Sequence, residues 1–131
     1  IRDRSYSYRT SNINEKSIII SIKLFKQTTN FDMNLLNLLN QKRKISQPIN
    51  QLSCGCIFKN PSGDYASRLI DSAQLKGSRA GGIYISHKHS NYFINDGSGT
   101  YTDFLVLLRR VKDVIARKFS VKLDEEVILL K

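Results

Sequence analysis

Residues 17–26 read Ser-Ile-Ile-Ile-Ser-Ile-Lys-Leu-Phe-Lys, β-branched at first and alternating over the second half, a pattern that predicts a strand. Thr28, Thr29 and Asn30 then supply turn and capping side chains, and the period changes. Leu35, Leu36, Leu38 and Leu39 recur at helical spacing within residues 31–44. That predicts an amphipathic helix with Lys42, Arg43 and Lys44 in its last turn, where the macrodipole favours cations. Ser46, Gln47 and Pro48 should end it.

Pro48, Gly55, Pro61 and Gly63 make residues 45–63 mostly loop, with a short extended piece at Ile57 and Phe58. Asp64 is placed to cap a helix over residues 65–75 that Gly77 would close. Residues 80–86 and 92–95 read as strands, and Asn95-Asp96-Gly97-Ser98-Gly99 as a turn. The clearest helix begins at Thr102 or Asp103: Phe104, Leu107, Leu108, Val111, Val114, Ile115 and Phe119 fall on one face. Residues 121–130 read as a closing strand. This order predicts a mixed α+β layer fold, a small sheet packed with about three helices.

Composition narrows the class. With 131 residues and 40% hydrophobic side chains the chain holds one domain's worth of core, which excludes disorder. No apolar run, that of Ile18 to Ile20 included, approaches the length needed to span a membrane. The formal net charge is +10, which first suggests phosphate-rich partners. Residues 1–59 hold 10 basic and 3 acidic side chains, residues 60–131 hold 11 and 8. The excess thus sits near Arg2, Arg4 and Arg9 and at Lys42 to Lys44. A run of three is usually a solvated helix end, and a small anionic substrate needs only a few such groups. The chain starts at Ile1 with no signal-peptide pattern, and reads as a piece of something longer. Cys54 and Cys56, two residues apart, are poorly placed for a disulfide and read as free thiols of a reducing compartment.

Five stretches could carry chemistry. Tyr8-Arg9-Thr10-Ser11 offers an arginine fork for a carboxylate or oxyanion, although an arginine beside a tyrosine is most often plain surface. Ser53-Cys54-Gly55-Cys56-Ile57-Phe58-Lys59-Asn60-Pro61 allows close approach to backbone, and a thiol at Cys56 can be nucleophile, ligand or proton donor; a small buried hydrophobe is the bland alternative. His87 and His89 with the cysteines lack a standard zinc spacing, so no metal is assigned. Asn95 to Thr100 lacks the spacing of a phosphate loop. The triplet Asp124-Glu125-Glu126 is unusual in a strand: alternation sets Glu126 on the face of Ile128, where burial would require a cation partner or an acid's role, and exposure would make the triplet a guard for a sheet edge.

Taken in order, Tyr8-Arg9-x-Ser11, the stretch Ser53 to Pro61, the run from Arg68 through Gly81-Gly82 and His87-Lys88-His89-Ser90-Asn91 to Asn95, the long helix, Lys118-Phe119-Ser120-Val121 and Leu123 to Val127 resemble the C-terminal part of the UDP-N-acetylenolpyruvoylglucosamine reductases. The resemblance covers nearly the whole chain. It implies a flavoenzyme of cell-wall precursor synthesis whose N-terminal region holds FAD, with residues 1–15 as the tail of that region and 16–131 as the substrate-binding domain, of the family's shorter subclass. NADPH would supply hydride by way of the flavin to the methylene carbon of the enolpyruvyl ether of UDP-N-acetylglucosamine. The product would be UDP-N-acetylmuramate, and the full-length enzyme a cytoplasmic monomer. Arg9 would stabilise negative charge developing towards the substrate carboxylate. Glu126 would assist there as a hydrogen-bonding acid raised by burial. Cys56 stands where many members carry a serine proton donor, and a thiol, mostly protonated near neutrality, is the better acid. Tyr8, Arg43 and Asn60 match substrate-binding positions. Ser46 stands where some members have lysine and Ile128 where an arginine is common; His89 and Asn91 fall in a stretch near the flavin.

Two other readings compete. A small basic nucleic-acid-binding module would bind with steep salt dependence, but the chain has no aromatic-plus-basic strand motif of that kind. A non-catalytic fragment that only holds the sugar nucleotide would bind without turnover.

Overall fold

In a computed structural model, residues 5–13, 16–23 and 32–129 are described. A two-residue turn joins β1 (Tyr6–Ser7) to β2 (Thr10–Ser11) in an antiparallel hairpin. Helix α1 (Met33–Ser46) follows, then α2 (Ala66–Ser72), the antiparallel sheet β3 (Arg79–Ala80), β4 (Ile83–Ile85) and β5 (Phe93–Asn95), and α3 (Tyr101–Phe119). Three helices and a small sheet make the expected α+β fold.

The core lies between the sheet and the last two helices. Leu107, Leu108, Val111 and Ile115 of α3 meet Ala66, Leu69 and Ile70 of α2, Ile83, Ile85 and Phe93 of the sheet, and Ile57, Phe58 and Leu123 from the flanking loops. Burying these side chains drives the fold, at about 1.5–3 kcal/mol for each large one. No described residue before Ile57 belongs to this cluster. A capping box starts α3: the Thr100 hydroxyl accepts from the Asp103 amide at 3.1 Å and the Asp103 carboxylate from the Thr100 amide at 2.9 Å. The helix therefore begins one or two residues before the apolar periodicity does.

Several local expectations change. Residues 17–23 form no strand, and Ile18 and Ile20 are almost fully exposed; β-branched residues favour a strand only where a neighbour takes up its backbone groups. Leu24, Phe25 and Lys26, together with Thr28 to Phe31, lie outside the described residues. Helix α1 forms, capped by Asp32, whose carboxylate accepts from the amides of Asn34 and Leu35. Its four leucines are all 38–53% exposed, so its apolar stripe takes no part in the core. Asp64 does not cap α2; the Asn60 side-chain oxygen takes the Ala66 amide instead at 3.1 Å. The strand expected over residues 80–86 is broken at Gly81-Gly82 into the β3–β4 hairpin. Gly81 sits at φ +50, and a Cβ on Gly82 would lie 2.2 Å from the Gly99 amide nitrogen. Residues 121–129 form no strand but a strap along the Ile57–Lys59 backbone, tied by Lys59 N–H to Asp124 C=O at 2.9 Å and Glu126 N–H to Ile57 C=O at 2.8 Å. Leu130 lies outside the described residues. Among the described residues no helix is long and apolar enough to cross a membrane.

Candidate functional site

The turn of the first hairpin consists of Tyr8 and Arg9, and Arg9 occupies the left-handed region at φ 57, an uncommon place for a residue with a side chain. Its guanidinium lies 5.5 Å from the Tyr8 ring centroid and forms an ion pair with the Glu126 carboxylate, 117 residues away in sequence. The pair is only partly shielded, with 45% of the Arg9 and 21% of the Glu126 side chain exposed. Tyr8 itself is exposed. Glu126 is thus a partly exposed acceptor with a cation as its partner. The strap bends at Glu126, so the alternation expected from a strand fails and Ile128 is left in solvent. Glu125 turns elsewhere, accepting from Lys112 at 2.6 Å, which holds its carboxyl below the usual range.

Cys56 is fixed by backbone on two sides. It bridges Tyr92 in antiparallel fashion, while Leu52 bridges Asn95 and Phe58 bridges Glu125. Asn91, buried at 3% exposure, grips the next turn of chain: its side-chain oxygen accepts from Phe58 N–H at 3.0 Å and its amide donates to Phe58 C=O at 2.8 Å, while its own carbonyl accepts from Ile57 N–H at 2.9 Å. Gly55, at φ +88, lets the chain reverse between the two cysteines. As a result Cys54 is exposed and Cys56 half-buried, both as free thiols. Burial pushes the Cys56 thiol up, and the positive charge of Arg9 and the nearby Tyr92 hydroxyl offset this only in part. The thiol therefore keeps its proton at neutral pH while an arginine stands ready to stabilise its anion.

The structure brings Arg9, Cys56 and Glu126 into one neighbourhood: Arg9 contacts Glu126 directly, its charge acts on the thiol, and Glu126 N–H bonds the carbonyl next to Cys56. Arg43, in the last turn of α1, reaches the same region, since its charge acts on the Tyr92 hydroxyl, and its Nε donates to Gln47 at 3.1 Å. Asn60 has its side-chain oxygen committed to the start of α2. Two grooves of about 590 and 580 Å³ flank the sheet. The first is lined by Lys44, Gln51, Tyr84 and Lys88, the second by Leu52, Cys54, Phe93 and Phe104, and neither by Arg9, Cys56 or Glu126.

His87 and His89 stand on a turn, not a strand, because the buried Ser86 hydroxyl accepts from the amides of Lys88 and His89. The stretch Asn95 to Thr100 spends its amides internally: Gly97 and Gly99 donate to the Asn95 side chain, Ser98 to Asp96 and Thr100 to Asp103. None is left for a pyrophosphate. Sequence reasoning missed Asn91 as a clamp and Tyr92 as the partner of Cys56. A polar residue directly before the run Tyr92-Phe93-Ile94 was the available sign of the first.

Residues 47–130 match the family model described as UDP-N-acetylenolpyruvoylglucosamine reductase, C-terminal domain. A curated protein of that name from Fusobacterium nucleatum is 35% identical over 129 residues, covering 98% of this chain and 46% of its own length. One from Streptococcus pyogenes is 39% identical over 132 residues, covering 98% and 45%. The crystal structure of UDP-N-acetylenolpyruvylglucosamine reductase from Thermus caldophilus superposes with a TM-score of 0.61 at 38% identity, over 72% of this chain and 32% of that one. The chain thus spans just under half the length of the curated relatives it matches.

Proposed function

The chain belongs to the UDP-N-acetylenolpyruvoylglucosamine reductase family and matches its C-terminal domain, and we propose that it is the substrate-binding part of such an oxidoreductase, serving peptidoglycan precursor synthesis in the cytoplasm as part of a monomeric enzyme. FAD and NADPH are the cofactors this reading requires. The one glycine-rich turn ahead of a helix has no free amides for a dinucleotide, so no residue of this chain is given to holding either. When bound, a flavin supplies the hydride.

Reduction of an enolpyruvyl ether needs a hydride at the methylene carbon and a proton at its neighbour. Hydride addition leaves an electron pair that delocalises into the carboxylate. Arg9 is the group to bind that carboxylate and stabilise its added charge, and Glu126, now its partner, gives way to the substrate and braces the guanidinium from the other side. The Cys56 S–H bond then breaks, the proton joins the carbon to form the new C–H bond, and a thiolate remains beside Arg9 until solvent reprotonates it. Tyr8 and Arg43 flank the cluster and suit the sugar nucleotide and its diphosphate, with Asn60 offering its free amide hydrogens.

The observation that carries this reading is the meeting of Arg9, Glu126 and a protonated Cys56 from three distant stretches of a chain of this family. The test is turnover in a full-length reductase carrying this sequence. Cys56→Ala should lower kcat by about 10²-fold or more with little change in KM. Arg9→Ala and Glu126→Ala should lower kcat by roughly 10²–10³-fold. Undiminished turnover in Cys56→Ala and Glu126→Ala would remove the site assignment.

A further inference from the structure

An acid catalyst must both aim its proton and tolerate the anion it becomes. Arg9 supplies charge for the second task, but a guanidinium at the mouth of the site does not fix where a thiol points. Tyr92 stands directly across the antiparallel bridge from Cys56, a pairing that sends both side chains to the same face. We propose that Tyr92 is a positioning residue for Cys56, its hydroxyl donating to the sulfur so that the S–H is left free for the substrate and the thiolate left after proton transfer is held by a neutral donor. This rests on the reading of Cys56 as the proton donor and deepens it.

The surroundings of Tyr92 fit a fixed donor. The His89 ring packs edge-on against it, with centroids 4.7 Å apart, and fixes the ring plane. His89 is itself pinned, its Nδ1 accepting from Asn91 N–H at 3.3 Å and its carbonyl from Tyr92 N–H at 2.9 Å. Burial pushes the phenol up and so keeps its proton on; the neighbouring Cys56 acts the same way, against the opposing charge of Arg43. The ionisable groups facing the pair are therefore Arg9 from the hairpin, with Glu126 behind it, Arg43 from α1, and His89, which burial and then Lys76 drive towards its neutral form. When the thiol loses its proton, no S–H remains to compete, and the Tyr92 O–H bond to sulfur becomes a charge-assisted one. The hydrogen bond is thus worth more to the thiolate than to the thiol, as an acid's partner must be.

The experiment reads the thiol directly. In a Cys54→Ser background, alkylation of Cys56 by iodoacetamide is followed against pH by mass spectrometry, with and without Tyr92→Phe, which removes one oxygen and keeps the ring against His89. The alkylation midpoint should rise by about one pH unit, a roughly tenfold slower rate below the midpoint. In the full-length reductase kcat should fall by about three- to tenfold with KM little changed. An unmoved midpoint in a Tyr92→Phe protein with a normal urea unfolding curve overturns the proposal, whatever Cys56 does in turnover. A raised midpoint joined to undiminished turnover in Cys56→Ala overturns instead the donor reading on which it rests.

Discussion

Replacing Asn91 by alanine removes both halves of the grip on Phe58, and the cost can be worked from the contacts. Phe58 is 1% exposed and Asn91 3%, so neither the Phe58 N–H nor its C=O, now bonded at 3.0 and 2.8 Å, has bulk water to turn to. A buried backbone group left without a partner costs about 1–3 kcal/mol. The truncation opens a polar gap in which one water could satisfy part of the loss, so the lower end applies to each group and the expected total is about 2–4 kcal/mol. The shortened side chain leaves the Asn91 carbonyl and its bond from Ile57 N–H intact, which keeps the Cys56–Tyr92 bridge in place. The assay is urea unfolding followed by circular dichroism at 25 °C. With a slope of about 1.5–2 kcal/mol per M for a chain of this size, the midpoint should fall by roughly 1–3 M. Amide hydrogen exchange at Phe58 should speed up more than at Leu107 or Val111, which lie in α3. A midpoint shift below about 0.3 M, or a Phe58 amide as slow as before, would refute the clamp.

Two further outcomes follow from other parts of the fold. The Asp96 carboxyl accepts from the Ser98 hydroxyl and pairs with Arg79, and these hold it at about 2; a carbon-13 titration should place its midpoint there, and Ser98→Ala should return it towards the usual range. Because the folded value lies below the unfolded one, this contribution to stability is full above about pH 4 and is lost as pH falls through about 2; a wild-type midpoint near the ordinary aspartate value would contradict it. Gly82→Ala should destabilise by roughly 2 kcal/mol or more, because its Cβ meets the Gly99 backbone, whereas Gly97→Ala, at φ +105 in open space, should cost only about 1–2 kcal/mol. The reverse order of urea midpoints would show that the hairpin and the turn are not in the close contact described.

Much of the fold was readable because the signals were local. The apolar face of α3 and the polar turn ahead of it announce themselves in a single window. What misled were features whose meaning depends on a neighbour. The isoleucines of residues 18–22 and the leucines of α1 carry strand and helix patterns, yet they stay exposed and join no buried core. The closing strap looked like a strand because of Val127, Ile128 and Leu129, but its acidic residues answer to Lys112 and Arg9 on other elements. At the candidate site the resemblance pointed to Arg9, Cys56 and Glu126. No periodicity points to Tyr92 or Asn91, whose roles arise only when residues 56–58 are laid beside residues 91–92.

That juxtaposition separates two things usually settled together. The position of residue 56 is fixed through the bridge to Tyr92, the main-chain bonds of Ile57 to Asn91 and the strap, and the grip of the Asn91 side chain on Phe58. The atom that residue 56 presents is fixed by its own side chain alone. A hydroxyl could be exchanged for a thiol at this point without moving the frame, whereas a proline at 57, 59 or 126 would cost a backbone donor and shift it. The chemistry of residue 56 is free to drift, while the tolerance for change lies almost nowhere in the three short segments that hold it.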